Sequence, residues 1–281
     1  MDVMAPDNVP SSSQVADMYD EITTIHAQWN GNLHYGYWTG ADDDSGFDEA
    51  LDQMTEQVIR RLDPRPGRHV LDLGCGLGAP ALKLARDHPV RVTGVSISPR
   101  QIAVAAERAR AAKDLTGSVT FEVADAMSLP YPDESFDAVM SLESMMHMPD
   151  KARVLKEIAR VLRPGGRLAL ADIALRTLPG QDGGSGRPKA ALSTSTYSME
   201  RIDEYGARVK EAGLVPLEVT DISEHTYRSI PYCLARTESF RDEYVRIIGQ
   251  EEFERRLEEA RRLQWTPEIG YVLIAAERPG S

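Results

Sequence analysis

Cysteine is scarce in this chain of 281 residues, which has only Cys75 and Cys233. Two cysteines exclude a disulfide framework and a zinc cluster built from thiolates. Long apolar runs are also missing, since no stretch reaches the roughly 20 residues that a membrane-spanning helix needs. Residues 1–14 lack the basic start and the apolar centre of a signal peptide, which predicts a cytoplasmic protein.

Positive charge is in short supply as well. The sequence has 32 Lys and Arg against 44 Asp and Glu, so its formal net charge is −12 at pH 7. Binding to phosphates requires clustered Lys and Arg. The balance therefore predicts neither a nucleic-acid partner nor an anionic membrane surface.

Glycine is concentrated in one place, where Gly74, Gly76 and Gly78 follow the apolar residues 70–73 with Asp72 among them. Glycine permits unusual backbone dihedrals and lets a ligand approach the main chain closely. Such a turn between a strand and a helix is where open α/β sheets bind nucleotides. The spacing differs from a dinucleotide fingerprint, because Ala79 replaces the third glycine. It favours a ligand without a pyrophosphate, and a tight turn with no ligand is the alternative.

Strands and helices alternate from residue 69 onward, which predicts an α/β fold with a mostly parallel sheet and helices on both faces. An Arg-Pro-Gly-Gly turn at residues 163–166 is expected to precede the fifth strand. The seven predicted strands are residues 69–73, 90–97, 119–123, 135–141, 167–174, 215–222 and 270–276.

Two predicted helical regions lie outside this core. The first, residues 12–60, contains a hairpin-like aromatic interruption at residues 33–38, and the second is the charged stretch 233–264. The Gly-rich residues 178–188 predict a mobile loop. We expect one domain over residues 1–281, with a helical lid at about 12–60, a core at about 64–225 and 268–279, and a cap at about 226–266.

Several motifs follow the glycine turn in order: Asp-Ala-Met-Ser-Leu-Pro-Tyr at 125–131, Phe-Asp-Ala-Val at 136–139, His-Met-Pro-Asp at 147–150 and Leu-Arg-Pro-Gly-Gly at 162–166. Over about residues 15–278 the sequence resembles the S-adenosylmethionine-dependent methyltransferases with a Rossmann-like sheet. Residues 33–38 and 94–98 resemble one branch, the small-molecule methyltransferases of bacterial secondary metabolism, including sugar O-methyltransferases.

The resemblance implies S-adenosylmethionine as cofactor, S-adenosylhomocysteine as product and a bulky natural product as acceptor, with oxygen as the expected methylated atom. Methylation at carbon or nitrogen is an open alternative, and so is a methyltransferase-like cyclase that does not methylate. Methyl transfer from a sulfonium needs no metal, so none is expected.

The resemblance also implies which residues bind the cofactor. Ser96 stands where many methyltransferases carry an acid for the ribose, so the backbone near Ile97 and the amide of Gln101 are expected to serve instead. Aromatic faces attract cations, and Tyr19, Tyr35 and Trp38 are expected to fold over the sulfonium. The complete predicted set is Tyr19, Tyr35, Trp38, Asp72, Gly74, Gly76, Ser96, Ile97, Gln101, Asp125, Ala126 and Leu142.

Two side chains are candidates for removing the acceptor proton. His147 follows the fourth predicted strand on the ligand side of the sheet, and the ordinary pKa of histidine suits a base near neutrality. Asp172 lies within an apolar strand, where an acid is rare unless it is paired or functional. Similar enzymes carry His-His-Met-Pro-Asp, and Met146 replaces the first histidine here, so His147 is either the base or architectural.

Overall fold

A computed structural model describes the protein at residues 11–176, 198–264 and 267–280. The loop predicted at residues 178–188 lies outside the described residues. None of the helices in the described parts combines the length and the apolar character that a bilayer span requires.

Seven strands form one sheet, with bounds β1 His69–Leu73, β2 Arg91–Ser96, β3 Ser118–Val123, β4 Phe136–Leu142, β5 Leu162–Leu175, β6 Val215–Asp221 and β7 Ile269–Glu277. Their order in the sheet is β3-β2-β1-β4-β5-β7-β6. Strands β1 to β5 pair in parallel, whereas β7 is antiparallel to β5 and β6. The predicted mostly parallel, seven-stranded sheet is confirmed.

The helices of the described regions are α1 Ser12–His26, α2 Phe47–Leu62, α3 Ala79–Asp87, α4 Pro99–Ala111, α5 Lys151–Val161, α6 Ile202–Glu211, α7 Ser229–Ser239, α8 Arg241–Ile248 and α9 Gln250–Gln264. The first turns of α1 and α4 follow known capping rules. Ser11 and Gln14 form a reciprocal capping box at α1. At α4, the Ser98 hydroxyl accepts the Gln101 N–H and Pro99 occupies the first turn.

Both faces of the sheet are buried, because each carries its own apolar cluster. Leu71 of β1 packs on one face with Leu155 of α5 and Val209 of α6. Val70 packs on the opposite face with Val58 of α2 and neighbouring side chains of α3. The alternation of side chains along β1 explains why its apolar run is nearly continuous.

The turn predicted at residues 163–166 belongs to β5 instead. The ladder between β4 and β5 moves from Leu162 to Arg167 while β4 advances only two residues, so the segment between them bulges out of the strand. The backbone of Arg278 binds this bulge on its other side, through an N–H donated at 2.9 Å and a carbonyl accepting at 2.8 Å. The bulge is thus hydrogen-bonded as part of the sheet.

The hairpin-like interpretation of residues 33–38 is wrong, because this segment forms no strand. Its backbone donors bond to distant parts of the chain: Tyr37 N–H to the Ala50 carbonyl at 2.8 Å, and Trp38 N–H to the His225 carbonyl at 2.9 Å. The charged stretch after β6 is helical as predicted, but it is divided into three helices. The last break is at Gly249, whose φ of 83° favours glycine.

Helix α1 is attached to the sheet layer through α4. The Asp20 carboxylate accepts from the Ser98 hydroxyl and from the Arg100 N–H at 3.2 Å. Farther along α4, the Arg108 guanidinium donates to the carbonyls of Ala27 and Trp29 at 3.2 and 3.0 Å. These contacts hold α1 over the carboxyl ends of β1 and β2.

Candidate active site

The carboxyl ends of β1, β2 and β4 surround a cavity, at the edge of the sheet where parallel α/β folds bind ligands. Helix α1 lies on its outer side and contributes Tyr19, and His147 follows β4 at the rim. Ten of the twelve predicted cofactor residues line this cavity: Tyr19, Asp72, Gly74, Gly76, Ser96, Ile97, Gln101, Asp125, Ala126 and Leu142.

Two glycines of the turn after β1 have positive φ for different reasons. At Gly74 (φ 79°) an added Cβ would lie 2.3 Å from the Cβ of Ser144, so glycine is needed for packing. At Gly76 (φ 51°) an added Cβ would meet only the Cδ1 of Leu33, at 3.4 Å. Gly76 and Leu33 both line the cavity. A side chain at Gly76 would therefore fill ligand space.

Asp72 is buried at the end of β1, and its Oδ2 has no hydrogen-bond partner among the described residues. Burial raises the pKa of its carboxyl to about 7. Buried polar groups are normally hydrogen-bonded. An unpartnered carboxylate beside a cavity is suited to receive a polar or cationic ligand group.

The end of β2 presents an amide rather than an acid. The Ser96 hydroxyl donates to Oε1 of Gln101 at 2.8 Å, which fixes the buried amide at the cavity wall. Asp125 follows β3, and its Oδ1 accepts the Met127 N–H at 2.8 Å within a turn. Both side chains offer polar groups at the cavity. Neither supplies the positive charge that binding of a phosphate would require.

A second cavity of about 500 Å³ adjoins the first, within the size range of small-molecule pockets. Its walls are mostly apolar and come from α1, α7 and residues after β4, with charged side chains of α9 at the rim. Four residues line both cavities, and they mark the junction: Tyr19, Leu33, His34 and Glu143.

Glu143 lies at this junction and was not predicted as a site residue. Its carboxylate accepts the backbone N–H of Tyr35 and, at 2.8 Å, the hydroxyl of Tyr271. Burial raises the pKa of Glu143 to about 8, although these two hydrogen bonds oppose the shift. Its φ is 43°, a strained value for a residue with a side chain. An acid directly after an apolar strand was the signal available in the sequence.

His147 ends a 3₁₀ turn, Met145–His147, that follows β4. Its Nε2 lies 2.6 Å from the Tyr19 hydroxyl, and the two rings meet edge to face at 5.2 Å. His147 is buried and lines the first cavity but not the second. It joins helix α1 to the sheet across the cavity.

Asp172 lies behind this turn and lines neither cavity. It is buried on β5 and accepts the Ile173 N–H at 2.8 Å. Burial raises its pKa, while the Lys151 charge and the N–H groups of Met145 and Met146 oppose the shift. Asp172 is thus close to the turn that carries His147, and its Oδ2 has no hydrogen-bond partner among the described residues.

Two of the predicted aromatic residues, Tyr35 and Trp38, do not line the first cavity. Tyr35 lines the second cavity rather than the first, with its ring stacked 5.8 Å from that of Tyr271. Trp38 lines neither cavity and is 1% exposed. Its indole N–H donates to the Ser45 carbonyl at 2.9 Å, and its ring stacks on Tyr232 at 6.2 Å. Packing against α7, far away in sequence, keeps Trp38 in the core.

The first cavity fits S-adenosylmethionine, which combines an uncharged adenosine with a cationic sulfonium and a free amino acid. The space that a Cβ at Gly76 would fill admits a ligand close to the backbone. The unpartnered oxygen of Asp72 matches a cationic group. Asp125 and the Gln101 amide offer the acceptors and donors that an adenosine requires.

A mostly parallel seven-stranded sheet with this glycine turn and this cavity is typical of the Rossmann-like methyltransferases. Residues 71–170 match a family model described as a methyltransferase domain. The chain belongs to the S-adenosylmethionine-dependent methyltransferases, and S-adenosylmethionine is its cofactor.

Similar proteins extend over nearly the whole chain. The sequence is 40% identical to the 27-O-demethylrifamycin SV methyltransferase of Amycolatopsis mediterranei, over 96% of this chain and 98% of that protein. It is 42% identical to the methyltransferase GfsG of Streptomyces halstedii, over 95% of each. Among solved structures, that of the 4+2 cyclase SpnF is similar, with 28% identity, a TM-score of 0.81 and coverage of 97% and 98% of the two chains.

Proposed function

We propose that the enzyme transfers a methyl group to a hydroxyl of a bulky natural product of secondary metabolism. The observation that carries the proposal is the junction at Glu143, where a cofactor-type cavity meets a second, largely apolar cavity of about 500 Å³. A relative named for methylating 27-O-demethylrifamycin SV supports an oxygen acceptor of this size. The single-domain organisation, the cytoplasmic location and the lack of nucleic-acid or membrane partners stay predictions.

The first cavity holds the cofactor in this proposal. S-adenosylmethionine, when bound, supplies a methyl group on a positively charged sulfur. Asp72 and the backbone at Gly76 bind its amino-acid and ribose side, and Gln101 and Asp125 bind its adenosine. Tyr19 covers the cavity from α1 and excludes water, because its hydroxyl is held by His147.

Glu143 accepts the proton of the acceptor hydroxyl. It lines both cavities, so its carboxylate lies where an acceptor meets the methyl group. Its pKa of about 8 is closer to that of an effective base at neutral pH than the pKa of an exposed glutamate. Tyr35 N–H and Tyr271 O–H orient the carboxylate through Oε1. Glu143 would take the proton as the methyl carbon passes from sulfur to the acceptor oxygen, so that the carbon–sulfur bond breaks and S-adenosylhomocysteine is the other product.

His147 and Asp172 then act through position. His147 holds Tyr19 and lines only the cofactor cavity, and Asp172 holds the turn behind it. The sequence-based expectation that either one is the base is tested against Glu143 by the variants described in the Discussion.

The direct test is methyl transfer itself. Purified enzyme, S-adenosylmethionine and a panel of hydroxyl-bearing macrocycles, including 27-O-demethylrifamycin SV, are incubated and analysed by mass spectrometry. We expect equal amounts of S-adenosylhomocysteine and of a product heavier by one methylene, with the methyl on oxygen by NMR. A methyl on carbon or nitrogen would move the proposal to another acceptor atom.

A cyclase is the second candidate, favoured by the structural similarity to SpnF. A cyclase would use the two cavities to bind and shape a substrate without consuming the cofactor. The mass measurement separates the two functions, because a cyclised product has the mass of its substrate and appears without S-adenosylhomocysteine.

A further inference from the structure

Two polar groups in the wall of the second cavity have no partner. His26, in the last turn of α1, is 8% exposed, and Trp29 follows in the loop after the helix. Both residues line the second cavity and neither lines the first. Nδ1 of His26 and Nε1 of Trp29 are buried and lack a hydrogen-bond partner among the described residues.

The two rings are held in place from several sides. They lie against each other with centroids 4.4 Å apart. Nε2 of His26 is 3.1 Å from the Tyr244 hydroxyl, and the guanidinium of Arg236 lies 5.4 Å from the centre of the Trp29 ring. Arg236 is itself fixed by Asp48 at 3.1 Å. The orphaned nitrogens therefore belong to rigid, preorganised rings.

The chemistry of the two nitrogens is complementary. The indole of Trp29 can only donate a hydrogen bond. Burial lowers the pKa of His26 to about 4, so its imidazole is neutral near pH 7. With Nε2 engaged by Tyr244, Nδ1 is left to accept or to donate according to the tautomer. A hydroxyl, which both donates and accepts, satisfies the pair in either tautomer.

We infer that His26 and Trp29 form a recognition site for a second hydroxyl of the acceptor, remote from the one that is methylated. This inference rests on the proposed function, because it assigns the second cavity to the acceptor. Tyr19, at the junction, and His26 are seven residues apart on α1, which is about 10 Å at 1.5 Å per residue. The recognised hydroxyl thus lies away from the junction at Glu143, where methyl transfer is proposed.

The first experiment needs no acceptor, and the titrations use the wild-type enzyme, with one variant serving only to assign a signal. Uniformly ¹⁵N-labelled enzyme is titrated with cyclohexanol and with methylcyclohexane, and the indole N–H signals are followed by NMR. The Trp29 signal is identified by its loss in Trp29→Phe. We expect a downfield shift with cyclohexanol only. An equal shift with both compounds, or none with cyclohexanol at its solubility limit, overturns the inference.

The second experiment uses the best acceptor from the macrocycle panel. His26→Phe and Trp29→Phe should each raise the KM for this acceptor roughly 10- to 100-fold, since a buried hydroxyl then loses a partner. Turnover and the affinity for S-adenosylmethionine should stay nearly constant. Trp38→Phe is the matched control, because Trp38 lines neither cavity. An unchanged KM in both variants overturns the inference.

Failure of the proposed function gives a different result. If no panel compound releases S-adenosylhomocysteine, methyl transfer to such acceptors is not supported, whereas the cyclohexanol titration still decides the recognition site. If methyl transfer occurs and the titration shows no hydroxyl-specific shift, only the recognition site is overturned.

Discussion

The hydroxyl of Tyr19 lies 2.6 Å from Nε2 of His147, and this contact joins α1 to the sheet across the cofactor cavity. Tyr19 is in the middle of α1, whereas His147 follows β4. The contact makes the position of α1 depend on the turn after β4.

If His147 acts by holding Tyr19, Tyr19→Phe and His147→Phe should have similar effects. We expect each to raise the KM for S-adenosylmethionine about 2- to 10-fold, the range of a single hydrogen bond. The double variant should be no worse than the more affected single one, because the two residues share one contact. If His147→Phe alone lowers turnover by roughly two orders of magnitude, the loss expected for a general base, His147 is the base instead.

Substitutions at Gly74 and Gly76, in the turn after β1, should affect different properties: the free energy of unfolding at Gly74 and cofactor affinity at Gly76. Both have positive φ, so alanine introduces backbone strain at each. Gly76→Ala should greatly weaken binding of S-adenosylmethionine in calorimetry, because its Cβ enters the cavity. Gly74→Ala should mainly lower the free energy of unfolding, because its Cβ meets Ser144. Equal cofactor affinity in Gly76→Ala and wild type contradicts this assignment.

The glycine turn was predictable because its signal is local. An apolar strand, an acid and three glycines lie within nine residues, and their geometry depends on little else. The Ser98 cap of α4 is local in the same way. Parallel pairing then brings the ends of β1, β2 and β3 to one edge, so Asp72, Gln101 and Asp125 meet there.

The aromatic residues and Glu143 were harder to place from the sequence, because their positions depend on distant partners. Trp38 is kept in the core by Tyr232 of α7, nearly 200 residues later. Glu143 acquires its surroundings from Tyr35 and Tyr271, on either side of it in sequence. Asp172 could be recognised as a special acid from its apolar strand, but its contacts with the turn before His147 appear only in three dimensions.

Arg108 should control how firmly α1 closes. Its guanidinium bonds to the carbonyls of Ala27 and Trp29 and, at 3.5 Å, of Leu77 in the glycine turn. Arg108→Met keeps the apolar stem and loses these bonds, so cleavage within residues 12–60 by a protease should be faster. Cofactor should slow that cleavage in the wild type. Arg110→Met, on an exposed position of α4, is the control and should behave like wild type.

Because burial raises the pKa of Asp72, we expect the free energy of unfolding to depend on pH. The pKa of Asp72 is about 7 in the folded protein, against about 3.9 in an unfolded chain. The folded state therefore binds the proton more tightly, and stability falls as the pH rises between those values. Each such group contributes at most about 1.4 kcal/mol per pH unit. Urea unfolding of cofactor-free enzyme between pH 5 and 7 should show a shallower decline for Asp72→Asn, and an unchanged slope contradicts the shift.

Glu143 should carry the pH dependence of catalysis. Glu143 can take the proton of the acceptor only in its deprotonated form. The kcat/KM for a hydroxyl acceptor should therefore rise with pH and level off above about 8, the raised pKa of this group. Glu143→Gln keeps the shape and can still accept from Tyr35 and Tyr271, but it cannot take a proton. Its turnover should fall roughly 10²- to 10⁴-fold, the contribution of a positioned base, and the rise near pH 8 should disappear. Cofactor affinity should be preserved, since Glu143 borders the cofactor cavity only at the junction.

Tyr271→Phe is the graded companion: it removes a hydrogen bond that stabilises the carboxylate, so the midpoint of the pH profile should move upward while the plateau turnover stays near that of the wild type. A Glu143→Gln enzyme with full turnover and an unaltered profile would return the role of base to His147.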